Sequence, residues 1–302
     1  MIKKKHVTSS GGMLFLIPLT SYTQVKFDHD KFLNAKRKHK SMVEVKSENL
    51  LRYDVKKLQI VECTAEFELN DAFNSSAFDR VNDFSAYYKR KHGEKLGSDI
   101  GATYPETVVN AVYKMHQKIM FENGLKTVDK QKISSNPIYI SEGLHRDRSE
   151  EYNGSPLNCE KNVILVSSTG MQNLPDNMGY DEKESFDQKL AAIANDTESE
   201  AELKIHFKVH ISNDGNPVLT EYKVSMDTWL SAFKKGKETI YKWKIINSPL
   251  FELKKEVKGD AMLMDGSGKI DMDTFDTELM NMLKDITEMF SYALSDQYIK
   301  YQ

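Results

Sequence analysis

Two segments of the chain alternate between apolar and polar residues with a period of two. They cover residues 58–69 and 203–211, and most of their polar positions carry charged or histidine side chains. Successive side chains of a strand point to opposite faces of the sheet, so each segment predicts a strand with one face against a core. The apolar positions are Val61, Cys63, Ala65, Phe67 and Leu69 in the first strand, and Leu203, Ile205, Phe207, Val209 and Ile211 in the second.

More strands are predicted on either side of the second segment. A turn signal at residues 213–216 is followed by further strand patterns at 218–227 and 238–246. Because consecutive strands joined by short turns usually pair, these three strands predict an antiparallel meander. The uninterrupted apolar run at 163–166 predicts a central strand that is covered on both faces.

Apolar residues at helical spacing predict a helix at 104–123. Thr103 and Glu106 have the spacing of a capping box, Pro105 falls in the first turn, and Gly124 supplies the C-terminal cap. The predicted buried stripe of this helix consists of Val108, Val112, Met115 and Ile119.

Three further helices are predicted from the same spacing, at 77–91, 182–195 and 274–298. A short strand at 125–128 and a long loop at 133–160 follow the helix described above. The last helix carries the longest apolar stripe, which consists of Phe275, Leu279, Leu283, Ile286, Phe290 and Leu294.

The order of these elements predicts an α/β fold. Helices on both faces of a mixed sheet give a three-layer sandwich, with an antiparallel meander and a long helix in its C-terminal part. No linker divides the chain, so residues 57–302 are predicted to form a single domain. A lysine-rich N-terminal arm at 24–56 and a leader at 1–23 precede it.

The leader, residues 1–23, has the three parts of a secretory signal peptide. It starts with basic residues, continues with an apolar run at 11–19, and places Ser21 and Thr23 before a cleavage site at Gln24. The apolar run is far shorter than the about 20 residues that span a bilayer. The pattern predicts an exported protein, periplasmic or envelope-associated in a Gram-negative bacterium, with no transmembrane segment in the mature chain. The alternative is a disordered basic leader with a chance apolar patch.

The charge balance argues against nucleic acid as a partner. The chain has 42 basic and 45 acidic residues, a net charge of −3, and removal of the leader with its three lysines leaves 39 − 45 = −6. A mildly acidic protein does not hold nucleic acid through its overall field. The basic clusters at 36–40 and 89–92 are therefore interpreted as solvated faces or as contacts to an anionic envelope surface.

Neither the cysteines nor the histidines have metal-site spacing. An oxidising compartment would permit a disulfide between Cys63 and Cys159, and the alternative is two unpaired thiols, with Cys63 as a small buried hydrophobe. His206 and His210 share one face of a strand, but four residues at about 3.4 Å each separate them by roughly 13 Å. No metal and no cofactor are predicted.

The segment 265–273 resembles a calcium-binding loop without its strongest ligands. With Gly268 at the sixth position, the first position is Leu263 and the twelfth is Thr274, so both terminal carboxylates are missing. We interpret the segment as a turn that places an N-cap at Asp273 or Thr274 for the last helix.

Three small polar residues, Ser167, Ser168 and Thr169, follow the predicted central strand, and Gly170 comes after them. Ligands of α/β sheets bind outside the carboxyl ends of strands, so these residues are the predicted ligand pocket. The sequence lacks the G-x-S-x-G frame of a nucleophile elbow and the phosphate-loop pattern. The alternative is a plain exit from strand to loop, and no catalytic residue is assigned.

The segment 105–139, a helix followed by a glycine, a short strand and a loop that ends at Tyr139, resembles exported proteins of Bacteroidetes-type bacteria. Those proteins are similar to the N-terminal α/β fold of the TolB translocation protein and to the curli-secretion lipoprotein. The resemblance implies this α/β scheme over residues 57–295 and transfers no catalytic residue. The chain departs from the curli pore protein because it has no lipoprotein cysteine.

Two functions follow as hypotheses. The first is a non-enzymatic exported envelope protein that binds a protein partner or assembles as a homo-oligomer. It is motivated by the leader, by polar strand faces and by the lack of a reactive constellation. The alternative is a periplasmic hydrolase or small-ligand-binding enzyme with its pocket at residues 167–170.

Overall fold

The computed structural model describes residues 25–26, 43–45, 55–68, 103–140, 163–171, 180–212, 215–235, 238–244, 249–259 and 270–301. The predicted leader, the helix predicted at 77–91, the segment 265–269 and both basic clusters lie outside these residues, as does Cys159.

One mixed sheet contains the ten strands of the described residues. Strand β3 lies beside β6 in parallel, and β6–β7 and β7–β8 are antiparallel, which confirms the meander. On the other side of β3 lie β4 and β5, while β9 and β10 both pair with β7. The strands are β1 Val25–Lys26, β2 Val43–Val45, β3 Lys57–Glu68, β4 Lys126–Thr127, β5 Val163–Ser167, β6 Ala201–Ile211, β7 Pro217–Lys235, β8 Glu238–Lys244, β9 Pro249–Leu253 and β10 Val257–Lys258.

Helices cover both faces of this sheet and confirm the predicted three-layer α/β sandwich. The helices of the described residues are α1 Tyr104–Glu122, α2 Lys130–Ser134, α3 Pro137–Ile140, α4 Tyr180–Asp196 and α5 Met272–Tyr301. Helices α1 and α5 pack on one face around a large core, which includes Phe207 and Phe290. Helices α2, α3 and α4 form a smaller core on the other face around Val61 and Tyr139.

Strand β3 contains a bulge that its sequence pattern did not predict. The register with β6 shifts between Ile60 and Glu62, so Val61 is an extra residue. Ile60 and Cys63 face the large core, whereas Val61 lies in the small one, so the predicted placement of Val61 beside Cys63 is wrong. The hydroxyl of Tyr139 donates a hydrogen bond of 2.8 Å to the Val61 carbonyl, so the backbone acceptor at the bulge has a partner.

Strand β5 is not the central strand that its apolar run predicted. In the described residues it pairs only with β3, and Leu165, Val166 and Ser167 are partly exposed. A short apolar run does not by itself specify the position of a strand in a sheet. The central positions belong to β3 and β6, which alternate because their second face carries polar groups.

Helix α1 begins and ends near its predicted bounds, but the capping box is wrong. Thr103 has φ −91° and ψ −19°, which is helical, and its side chain makes no capping hydrogen bond. Pro105 lies in the first turn, where its missing N–H is not needed. Gly124 has φ +77°, the left-handed conformation in which glycine ends a helix without strain.

Helix α5 is capped by Asp271 and not by the predicted Asp273 or Thr274. The Asp271 carboxylate accepts hydrogen bonds from the backbone N–H groups of Asp273 at 3.2 Å and Thr274 at 3.3 Å. The hydroxyl of Thr274 also donates to it, and this bond is the main reason why the pKa of Asp271 is lowered. All six apolar residues of the predicted stripe are buried.

Two segments of the predicted N-terminal arm are strands of the sheet. Strand β1 pairs with β10, and β2 pairs with β9, where Val43 is buried in the large core. Among the described residues, no helix combines the length and the apolar character needed to cross a membrane.

Candidate functional site

The predicted pocket residues lie where β5 leaves the sheet beside α1. Ser167 is the last residue of β5 and pairs with Thr64 of β3. Ser168 is fully buried, and its N–H donates a hydrogen bond of 2.9 Å to the Cys63 carbonyl. Thr169 is exposed and precedes Gly170, whose φ of +75° turns the chain away from the strand.

Ser168 lies between a lysine and an amide. The Lys130 ammonium donates a hydrogen bond of 2.6 Å to the Ser168 hydroxyl, which donates in turn to the Asn110 side-chain oxygen at 2.7 Å. The same oxygen accepts the Thr169 N–H at 2.9 Å, and the Asn110 amide donates to the Thr169 hydroxyl at 2.7 Å. The Thr169 hydroxyl donates to Glu106 at 2.5 Å. We call these five residues the Ser168 network.

Burial controls the ionisation of the groups around this network. Desolvation lowers the pKa of Lys130, while the nearby Cys63 and Glu106 act in the opposite direction. The Lys130 ammonium also lies 4.6 Å from the centre of the Tyr113 ring, a cation–π contact that favours the charged form. Burial raises the pKa of Cys63 and of Tyr113 well above their usual ranges, so both stay protonated.

Ser168 and Lys130 are the residue types of a nucleophile and its base, but their geometry is that of a buried contact between structural elements. A serine hydroxyl next to a partly desolvated lysine is a known route to an activated nucleophile. Ser168, however, has no exposed surface, and its hydroxyl already accepts from Lys130 and donates to Asn110. The Ser168 network therefore ties together β5, α1 and the start of α2.

Sequence reasoning placed Ser168 and Thr169 near each other but missed Asn110, Glu106 and Lys130 as their partners. Glu106 and Asn110 are four residues apart on α1, so they form a polar stripe beside the apolar one. That spacing is the only signal for them in the sequence. Lys130 follows the N-cap residue Asp129, and nothing in the pattern connects it with β5.

A second polar cluster crosses the sheet on its other face. In the β3–β6 register, Glu66 is opposite Lys208 and Thr64 is opposite His206. The ammonium of Lys208 lies 3.2 Å from Glu66 and 3.7 Å from Glu221 of β7. The ring of His206 is hydrogen-bonded to the Thr64 hydroxyl at 2.9 Å. Opposite charges in register favour this strand pairing.

Lys204 lies on the same face of the sheet, in its most buried part, and we call this face the charged face. Its ammonium lies 3.1 Å from Asp227 and 3.7 Å from Glu202, whose side chain is 2 % exposed. Burial alone would lower the pKa of Lys204, but Glu202, Asp227 and Glu62 outweigh it, so the pKa is raised and the ammonium stays charged. In the described part of the chain, no three histidine, cysteine or acidic residues are arranged to hold a metal ion.

Two aromatic residues remain exposed at one end of the α1–α5 layer. The side chain of Phe121 is 80 % exposed and that of Tyr292 is 65 % exposed. Asn123 donates a hydrogen bond of 3.3 Å to Ser291, so the end of α1 lies against α5 next to Tyr292. We call Phe121, which is at the end of α1, and Tyr292, which lies on α5 beside that end, the aromatic end.

Comparison with known proteins finds no matching family model, no matching curated protein and no matching solved structure. The resemblance to exported envelope proteins therefore stays a prediction.

Proposed function

We propose that this chain is an exported envelope protein that acts by binding a protein partner and not by catalysis. The leader at 1–23 supports export, because its three parts have the order of a signal peptide. The protein then acts in the periplasm or at the envelope of a Gram-negative bacterium. The aromatic end supplies the contact with the partner.

The observation that carries this proposal is the exposure of two large aromatic side chains at one end of a helical layer. Aromatic residues are enriched at protein interfaces, and a few of them supply most of the binding free energy. Among the side chains that the structure describes, Phe121 and Tyr292 are two of three large apolar side chains that are exposed. The third, Ile140, lies at the end of α3 in the opposite layer. The proposed partner presents an apolar pocket to the two rings.

The Ser168 network supports a non-enzymatic role. A catalytic nucleophile must reach its substrate, and the Ser168 side chain is buried with its hydroxyl engaged on both sides. Ser168 forms hydrogen bonds with β3, α1 and α2, and this structural role is sufficient to explain its position.

Site-specific photo-cross-linking in intact cells tests the proposal. A photoreactive phenylalanine analogue replaces Phe121 or Tyr292, and the control replaces Gln131, an exposed residue of α2 in the opposite layer. We expect both aromatic positions to give one discrete heavier product in the envelope fraction, and the control to give none. Equal products from all three positions, or none from any, would contradict the proposal. N-terminal sequencing of the fractionated protein should start at Gln24, and an intact Met1 in the cytosol would remove the export step.

The alternative is a hydrolase that uses Ser168, and the 2.6 Å contact with Lys130 is the observation in its favour. A fluorophosphonate probe labels activated serines covalently and so separates the two functions. We expect no labelling of the purified protein at neutral pH, where Ser168 is shielded. Labelling that disappears in Ser168→Ala and in Lys130→Met, but persists in Lys132→Met, would establish the hydrolase instead.

A further inference from the structure

Strands β7 and β8 extend beyond the rest of the sheet as a two-stranded ribbon. Strand β6 pairs with β7 only as far as Thr228, and after Thr228 the partner of β7 in the described part of the chain is β8 alone. The two tryptophans of the chain, Trp229 and Trp243, are register partners at the base of this ribbon. Helix α4 packs against β8, which supports the ribbon, because an isolated hairpin is only marginally stable.

The outer edge of β8 has no strand partner among the described residues. Glu238–Lys244 is seven residues long and contains neither proline nor glycine. Its register with β7 is regular from Ser231 to Lys235, so no bulge interrupts the outer part of the ribbon. The outward N–H and C=O groups of an edge strand of this length pair readily with another strand, and proteins usually block such edges.

We propose that β8 pairs with β8 of a second copy of this chain, as two antiparallel strands across a twofold axis. The sequence of β8 is complementary to itself in the register that pairs its whole length. The shorter register with Ile240 on the axis also places Glu238 opposite a lysine, Lys242, but it leaves Lys244 unpaired. With Tyr241 on the axis, Glu238 of each copy lies opposite Lys244 of the other, and all seven residues are paired. Shifting the axis to Lys242 would place two lysines opposite each other and shorten the ladder. The sheet then continues across the dimer.

Charge complementarity selects a second copy over an unrelated extended peptide. Each dimer contains the Glu238–Lys244 contact twice, since an isologous interface repeats every contact. Opposite charges on facing strands stabilise pairing, and like charges destabilise it. The proposed contact is made by β8 and uses neither Phe121 nor Tyr292, so the dimer does not depend on the proposed function.

Sedimentation velocity of the mature chain, from about 1 to 200 µM, tests the proposal. We expect a reversible dimer with a dissociation constant in the micromolar range, because a single strand pair buries a small area. Glu238→Lys and Lys244→Glu should each weaken it at least tenfold. The control Glu122→Lys, the same charge change at an exposed position of α1, should leave it unchanged.

Mixing the two single variants gives the decisive result. A Glu238→Lys copy carries lysine at both positions and a Lys244→Glu copy carries glutamate at both, so their heterodimer restores two opposite-charge contacts. We expect the mixture to dimerise at least tenfold more tightly than either variant alone. Within one copy, β7 places Lys235 opposite position 238 and Thr228 opposite position 244, so a purely internal effect would not be rescued by mixing.

Three results would overturn the inference. They are a monomeric parent protein throughout the concentration range, a dimer that is insensitive to both charge reversals, and a mixture no tighter than the single variants. Circular dichroism of each variant establishes that it is folded, and if either reversal unfolds the chain, Glu238→Gln and Lys244→Gln replace the pair with the same order of affinities expected.

Discussion

At the scale of single residues, His116 is an ionisable group with no exposure to water. This residue of α1 is fully buried against β7 and α5, and its ring is stacked on Tyr222 and close to Phe290. One ring nitrogen contacts the Val112 carbonyl at 3.0 Å, and the other lies 3.4 Å from the Tyr222 hydroxyl. Burial lowers the pKa of His116 to about 4, and the Val112 carbonyl only partly opposes this.

This histidine predicts a loss of stability in mild acid. The pKa in the unfolded chain is near 6.5, so the unfolded state binds the proton first as the pH falls. The stabilisation is complete above pH 6.5 and is lost as the pH falls to 4, by about 3 kcal/mol at 1.36 kcal/mol per unit. Urea unfolding at pH 7.5, 6, 5 and 4.5 measures it. In His116→Phe this part of the pH dependence should be absent, and identical slopes in the two proteins would contradict the prediction.

At the scale of elements, Asn110 joins α1 to the end of β5. Asn110→Ala removes the acceptor of the Ser168 hydroxyl and of the Thr169 N–H together. We expect a loss of about 1–3 kcal/mol in the free energy of unfolding, since the hydroxyl of the buried Ser168 is left without its acceptor. Lys114→Ala, one turn further along α1 and exposed, is the matched control and should change it little. Chemical denaturation measures both, and equal losses would show that the amide has no special role.

The β3 bulge gives a second prediction at this scale. Tyr139→Phe removes only the hydroxyl that donates to the Val61 carbonyl. We expect a loss of about 1–2 kcal/mol in the free energy of unfolding, because a buried carbonyl is left without its donor. Tyr292→Phe removes the same atom from an exposed ring and should be neutral. Thermal and urea unfolding compare the two, and a neutral Tyr139→Phe would mean that the bulge satisfies its carbonyl in another way.

The elements themselves could be predicted from the sequence, and several of their details could not. Periodicity identifies β3, β6, α1 and α5, because burial of one face imposes a period of two or 3.6. The bulge at Val61 escapes such reasoning, since one extra residue changes the face without changing the composition. Glu106 escapes it too, because its partner is Thr169 on a distant loop and not the helix N-terminus.

At the scale of the whole molecule, the layers were predictable and the polar junctions were not. The amphipathic helices require a sheet to cover, and the order of elements leaves few arrangements for them. Ser168 and Lys130, in contrast, are 38 residues apart and meet only once β5 is antiparallel to β3. A contact between three elements depends on the complete fold, so the sequence gives the small polar residues of such a site without their partners.

At the same scale, we expect the charged face to make the sheet unfold as one unit, and Lys204 is the residue that tests this. Lys204→Ala leaves Glu202 and Asp227 without their shared ammonium in the middle of the sheet. Removing one partner of a buried ion pair is strongly destabilising, and because the Lys204 side chain is 24 % exposed we expect about 2–3 kcal/mol, below the fully buried case. Lys118→Ala removes the 75 % exposed partner of Glu122 and should change stability by less than about 0.5 kcal/mol.

Native-state hydrogen exchange should show the effect of Lys204→Ala equally in β3, β6 and α1, since β3 and β6 carry the core on which α1 packs. Loss of protection confined to β6 and β7 would instead mean that the charged face stabilises only its own strands.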